Sequence, residues 1–390
     1  MNSSNHNDSV AARPAILQLV PSLDAGGAER TAIDVAAALV GEGYAALVAS
    51  EGGRMVPELL AAGGELIELP MASKSPVTMI ANARALCQII RTRNVKLVHA
   101  RSRAPAWSGL WAARRTGVPF VTTYHGIYNA SNALKRFYNS GMVRGRAVIA
   151  NSQWTAAHIA REYKIAPEDI TVIHRGVDLA KFDPANVSLE RVAQLRAQWG
   201  VGENDLVILL PGRLTRWKGQ LVLIEALSKL KPANTRTILA GDAQGRDAYE
   251  SELRNAIAVA GLNVFIAGHV SDMAAAYLVA DIVVSASTDP EAFGRVAAEA
   301  GAMSRPVIAT DHGGARETIL RGASGELVTP GDADALARAL ERMIAAGPQT
   351  RAAMGAAARV HIAENFTRER MCTDTLALYR RLIAEKEALR

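Results

Sequence analysis

Short apolar runs recur along this chain at helix-length intervals, and the pattern occurs twice. Residues 16–20, 45–49, 65–69, 96–99, 120–124, 147–150 and 171–174 form four- or five-residue, mostly apolar runs separated by helical stretches or turns. A polar connector of helical pattern occupies 189–199, and the runs restart at 206–210, 236–240, 264–267, 282–285 and 306–310. Strands this apolar need cover on both faces. Alternation with helices supplies it by stacking them on a parallel sheet. The expected fold class is therefore α/β, with two doubly wound domains. Ligands of such sheets sit beyond the carboxyl ends of the strands, so the chemistry is sought there.

Length and composition fit this division. A chain of 390 residues exceeds one ordinary domain and suits two. The expected boundaries are a disordered tail at 1–12, an N-terminal domain at 13–187, a second domain at 188–366 and a terminal helix at 367–390. Cys87 and Cys372 are the only cysteines, without metal-site spacing or a disulfide framework. Residues 1–12 are polar and include Asp8, and no apolar run approaches the roughly 20 residues that span a bilayer. A cytoplasmic protein is expected.

The most informative local stretch is Glu291-Ala-Phe-Gly-Arg-Val-Ala-Ala-Glu299. Its two carboxylates stand about 12 Å apart if the segment is helical from about Phe293, at about 1.5 Å per residue. That is too wide for a glycosidase pair, whose carboxylates lie about 5 Å or about 6.5–9.5 Å apart. It suits a grip on both ends of a nucleotide sugar. Upstream, Gly212-Arg213-Leu-Thr-Arg-Trp-Lys218-Gly219 follows an apolar run. Arg offers a planar fork to phosphate oxygens and Lys a mobile point charge, and positioned cations stabilise a departing diphosphate. E-x7-E and G-R-L-x-x-x-K-G together resemble the signatures of family 4 retaining glycosyltransferases, group 1, the bacterial lipopolysaccharide and glycolipid type.

The resemblance extends over most of the chain. Gly26 and Gly27 resemble the family's donor-closing loop, and paired glycines let backbone amides approach an anion at a helix start. His125 ends a strand and precedes a glycine, like the family's histidine at the interdomain cleft. Gly268, His269 and Val270 resemble the loop whose backbone reads the base. Gly313, Gly314 and Glu317 resemble the donor-facing G-G-x-x-E segment, and Ser152 a strand-to-helix step that equally suits a helix cap. His174-Arg-Gly-Val-Asp178 resembles the family's N-G-V-D turn, with Arg175 in place of the usual Asn. The resemblance implies GT-B architecture: two Rossmann-like domains facing a central cleft, acceptor side first and donor side second. The last helix, about 368–387, would cross back to the N-terminal domain.

One feature owes nothing to resemblance. Residues 69–161 contain no Asp or Glu but carry 14 Lys and Arg, while the remaining 30 basic residues face all 38 acidic ones. Such a segment favours an anionic membrane, phosphorylated glycolipid or nucleic acid. No nucleic-acid motif accompanies it, so nucleic acid is not expected. Trp107 and Trp111 lie four apart beside Arg103, Arg114 and Arg115, suggesting a membrane or acceptor surface and peripheral attachment to the inner face of the cytoplasmic membrane.

By resemblance, hexose passes with retention from a nucleotide sugar, UDP-linked ahead of GDP-linked, to a lipid-linked or lipopolysaccharide-type hydroxyl. His125, Arg213, Lys218 and Glu291 would act at the reacting centre. Donor contacts would come from Gly26, Gly27, Arg213, Lys218, Gly268, His269, Val270, Glu291, Ala292, Phe293, Gly294 and Glu299. Asp332-Ala-Asp334, the only D-x-D, is expected to open a C-terminal helix, so no metal or other cofactor is expected. Two rivals stand beside this reading: a sugar-nucleotide epimerase of the same architecture, and a noncatalytic nucleotide-sugar-binding protein. An NAD dehydrogenase is disfavoured because no G-x-G-x-x-G follows the first strand.

Overall fold

The first apolar run forms β1 (Ala15–Leu19), buried along its whole length, as a strand covered on both faces must be. The computed structural model describes residues 13–24, 26–128 and 130–389, so the tail expected at 1–12 lies outside the described residues. The chain divides into two compact units. One comprises Met1–Ala150, Ala156–Ile173 and Cys372–Arg390, the other Asn151–Thr155 and His174–Met371. Residues 174–187, placed with the first domain on sequence, thus cluster with the second unit.

In the first unit β1 is joined by β2 (Ala45–Ser50), β3 (Glu65–Glu68), β4 (Val95–Ala100), β5 (Phe120–Tyr124), β6 (Ala147–Ala150) and β7 (Ile170–Val172). The sheet order is β3-β2-β1-β4-β5-β6-β7, with every pairing parallel. The second unit holds β8 (Leu206–Pro211), β9 (Thr235–Ala240), β10 (Val264–Gly268), β11 (Ile282–Ser285), β12 (Val307–Thr310) and β13 (Gly325–Val328). Its order, β10-β9-β8-β11-β12-β13, repeats the same winding, again parallel throughout. Each sheet reverses direction of growth once, at β1/β4 and at β8/β11. A crevice opens beyond the carboxyl ends at such a switch point.

The sequence reading did not anticipate β13. It is four residues at a sheet edge, half-buried at Glu326 and Leu327, and lacks the apolar run that marks the inner strands.

Helices cover both sheets by ordinary amphipathic logic. In Ala333–Ala345 the buried Leu336, Ala339, Leu340 and Met343 recur every three or four residues, one stripe of a 3.6-residue helix. Asp332 caps it by accepting from the Ala335 N–H. Each large apolar side chain so buried contributes about 1.5–3 kcal/mol.

The terminal helix Arg368–Glu387 changes units along its length, and from Cys372 onward it clusters with the first. Its buried residues Cys372, Leu376, Tyr379 and Leu382 share one face. Tyr379 meets the Nδ1 of buried His99, whose Nε2 meets the Thr123 hydroxyl 2.7 Å away. Burial, with Arg101 close by, pushes the His99 imidazole well below its ordinary pKa and keeps it neutral. Among the described residues no helix is long and apolar enough to cross a membrane.

Candidate active site

In the second unit the loops after β8 and β11 meet at the switch point. The loop after β8 is held by its main chain: Gly212 N donates to Ala240 O at 2.8 Å and Leu214 N to Asp242 O at 3.0 Å. Gln220 Nε2 donates to Arg213 O at 2.9 Å. Gly219 lets this loop touch its neighbour. Its φ is +73°, and a Cβ there would stand 1.9 Å from Ala286 O, so only glycine fits.

That close approach brings Lys218 Nζ within 2.7 Å of Glu291 Oε1. The Ser287 hydroxyl donates to the same oxygen at 2.5 Å. Both partners are largely shielded, at 13% and 15% side-chain exposure, so their attraction is weakly screened. Burial pushes the Glu291 carboxyl up. The Lys218 charge, the hydrogen bonds from Lys218 and Ser287, and Arg295 together outweigh it and hold the group below its ordinary value. Lys218 Nζ also lies 4.4 Å over the Trp217 ring. Arg213 is on the same loop with its side chain exposed. The site thus offers a buried carboxylate, a lysine able to exchange that carboxylate for a phosphate oxygen, and an exposed guanidinium beside them.

The stretch after Glu291 differs from a helix beginning at Phe293. Gly294 is left-handed at φ +82°, and the helix runs Arg295–Ala302. The rise estimated from Phe293 therefore starts two residues late. Ala292 and Phe293 are buried, with Phe293 edge-on to Phe366 at 5.8 Å, so only their main chain remains for a ligand. The Glu291 backbone is gripped from β12's side. Gly314 N donates to Glu291 O at 2.8 Å, and a Cβ on Gly313 would fall 2.3 Å from that oxygen. Glu299 accepts from the Tyr277 hydroxyl at 2.9 Å and pairs with Arg295 at 3.3 Å. Burial, with Glu299 adjacent, raises the Tyr277 pKa well above its ordinary value, so the phenol stays a neutral donor.

Other expected residues fall elsewhere. Gly268 ends β10 and bridges to Gly241; His269 is exposed and Val270 half-buried just beyond. Gly26 and Gly27 belong to the first unit, where the helix Gly27–Gly41 starts one residue before Ala28; Ala25 lies outside the described residues. His125 is half-buried in the first unit, directly after β5. The structure therefore joins Lys218 to Glu291 but places Gly26, Gly27 and His125 in the other unit. Glu317, expected to face the donor, is engaged locally. Its carboxylate accepts from Gln153 N at 3.0 Å, Trp154 N at 3.1 Å and His174 Nε2 at 2.6 Å. Asp332 caps a helix and Asp334 pairs with Lys229 at 2.7 Å.

The surface reading of Trp107 and Arg103 is corrected. Trp107 is 8% exposed and its Nε1 donates to Tyr138 O at 2.8 Å. Arg103 is half-buried over the Tyr128 ring at 4.5 Å and bonded to Asn139 at 3.2 Å. The helix Arg103–Thr116 turns that side into the core. Trp111, Arg114 and Arg115, farther along the same helix, remain exposed. The acid-free segment is also partly neutralised by carboxylates from outside it: Glu65 pairs with Arg93, Glu162 with Arg136, Glu385 with Arg146 and Glu387 with Lys96. Ser287 and Tyr277 were missed because neither belongs to a spaced motif; only their contacts with Glu291 and Glu299 mark them.

The chain matches two family models, Glycosyltransferase Family 4 over residues 25–181 and Glycosyl transferases group 1 over residues 192–361. A D-inositol 3-phosphate glycosyltransferase of Arthrobacter sp. is 31% identical over 322 residues, 77% of this chain and 74% of the relative. The crystal structure of a glycosyltransferase from Rickettsia africae is 39% identical, with a TM-score of 0.88 over 95% of this chain and 99% of that one. Anabaena HepE in complex with UDP is 28% identical, with a TM-score of 0.82 over 93% and 99%.

Proposed function

The chain belongs to the family 4, group 1 glycosyltransferases, with a GT-B fold, and on that premise we propose that it moves a hexose with retention from a UDP-sugar to an anionic, phosphorylated acceptor. The observation that carries the reading is the Lys218–Glu291 pair at the β8/β11 switch point, with Arg213 on the same loop. A diphosphate arriving there gives Lys218 a second anion, and Glu291, released, accepts from hexose hydroxyls. Glu299, oriented by Tyr277, takes the ribose. Arg213 and Lys218 stabilise charge on the departing diphosphate. The bond from the anomeric carbon to the diphosphate breaks as the acceptor oxygen bonds the same face, and the acceptor proton passes to the diphosphate. UDP is supported as the nucleotide by HepE, solved with UDP. No divalent cation is required on this reading, since the clamp supplies the positive charge and both carboxylates of the lone D-x-D are engaged.

The acceptor reading rests on the first unit's surface. Val77 (78% exposed), Ile80, Trp111, Leu134 (82%) and Phe137 are apolar and exposed. Trp107 ties two of them together, 5.9 Å from Trp111 and 5.2 Å from Phe137. Exposed Lys74, Arg84, Arg114, Arg115, Lys135 and Arg144 stand among them in the sequence. Apolar side chains with cations suit the interface of an anionic membrane, and so a lipid-borne, lipopolysaccharide-type acceptor. A phosphorylated inositol is the second reading, favoured by the relative's activity.

Calorimetry with UDP and GDP, followed by turnover of UDP-sugars with EDTA present, tests the donor half. UDP is expected to bind more tightly and EDTA to leave turnover intact. Tighter GDP binding, or activity restored only by Mg²⁺ or Mn²⁺, would overturn it. Inositol phosphate and a phosphorylated glycolipid offered side by side separate the acceptors. Sugar epimerised without any acceptor would favour the epimerase.

A further inference from the structure

We infer that the His312 imidazole is a sugar-recognition element of this site, hydrogen-bonding hydroxyls of the transferred hexose; the inference rests on the nucleotide-sugar reading above. His312 lies in the loop beyond the carboxyl end of β12, and its backbone N–H donates to Thr310 O at 2.8 Å. Two residues before it, the Thr310 hydroxyl donates to Ser287 O at 2.9 Å. Two residues after it, Gly314 N donates to Glu291 O. Ser287 and Glu291 are themselves hydrogen-bonded. His312 is thus bracketed by two anchors to the loop that carries the sugar-end carboxylate. Its Cα lies within about 7.6 Å of each anchoring Cα, since consecutive Cα atoms are about 3.8 Å apart.

Both ring nitrogens of His312 are buried and meet no hydrogen-bond partner among the described residues. His125 and His158 each bury one ring nitrogen, Nε2, in this way, whereas His312 buries both. Two other imidazoles are paired at both nitrogens. His99 meets Tyr379 and Thr123, and His361 meets Glu317 O and Asn365. Leaving a buried polar atom unpaired costs stability, and such atoms in native proteins call for an explanation. The neighbouring Asp311 does not satisfy the ring, because its carboxylate pairs with Arg316 and Arg321 at 2.6 Å each. A neutral imidazole offers one donor and one acceptor, and each sugar hydroxyl offers both. Adjacent hexose hydroxyls therefore match what His312 presents beside the Glu291 loop.

The test separates the sugar from the nucleotide. UDP, UDP-glucose, UDP-galactose and UDP-N-acetylglucosamine are titrated calorimetrically into the full chain and into His312→Phe and His312→Gln. Phe keeps the ring's bulk without nitrogens; Gln restores a donor and an acceptor. UDP affinity is expected to stay within about twofold in both variants. The UDP-sugar that the unaltered chain binds most tightly is expected to weaken about tenfold in His312→Phe, the weight of one hydrogen bond, and to recover in part in His312→Gln. Equal losses for UDP and UDP-sugar would overturn the inference. So would unchanged binding of both with a raised unfolding temperature in His312→Phe, the signature of a purely structural ring. If the unaltered chain binds neither UDP nor any UDP-sugar, the nucleotide-sugar reading itself has failed and this inference falls with it.

Discussion

At the switch point of the second sheet, Lys218 on one loop is bonded to Glu291 on another, and each is a group a substrate can claim. At the switch point of the first sheet, beyond β4, Arg101 is more deeply buried, at 2% exposure, and bonded to a neutral amide, Gln18 Oε1, at 2.9 and 2.6 Å. Gln18 in turn donates to Ala32 O. Both sheets have the same winding and the same crevice position, yet the second sets a lysine against a carboxylate at 2.7 Å there, where the first sets an arginine against an amide. Topology supplies the place for a site. The residues at the loop ends decide whether that place is reactive or closed. The first unit instead carries its cations outward, on the helices beside Trp111 and Phe137.

The sharpest way to break this contrast is to remove the clamp. Arg213→Ala and Lys218→Ala are each expected to lower turnover at saturating donor by roughly 10²–10³-fold, the scale of losing one contact to a developing oxyanion. Near-normal turnover in both would put the reactive site elsewhere. The same lysine variant carries a pH signature. In the native chain the Glu291 carboxyl is held below 4.5, so its contribution to stability is present above that pH and lost as pH falls through the lowered value. Without Lys218, burial dominates and lifts the carboxyl. The acidic limb of donor binding should therefore move to higher pH in Lys218→Ala, and a limb that stays put would contradict the pairing.

A smaller effect is expected in the first unit. Reversing Arg84, Arg114 and Arg115 to Glu should weaken binding to anionic vesicles about a hundredfold at low salt, from roughly 1 kcal/mol for each basic side chain near the surface. UDP affinity should not change. Equal sedimentation with neutral and anionic vesicles, before and after the reversal, would return this face to plain solvent.

The mildest perturbation is Tyr277→Phe. It keeps the ring that packs 6.1 Å from Phe182 and deletes only the hydroxyl on Glu299. KM for the donor should rise about five- to tenfold with kcat and unfolding temperature unchanged. A fall in kcat alone would place Tyr277 at the reacting centre and not behind the ribose carboxylate.

The sequence by itself determined the parallel α/β class and most of the strands, because buried strands and amphipathic helices write their periods into neighbouring residues. The terminal helix Arg368–Glu387 was legible to its ends for the same reason. β13 was not, since a half-buried edge strand has little apolar signal. Arg213, Lys218, Glu291 and Glu299 were pointed to by the resemblance of their motifs to the family's, but not what each touches. Lys218 and Glu291 are 73 residues apart, and Arg146 finds Glu385 across 239. Trp107 and Trp111, four apart on one helix, end on opposite sides of the burial boundary. Tertiary structure alone decided these pairings, because strand order and helix docking set which distant residues meet, and local periodicity extends over only a few turns.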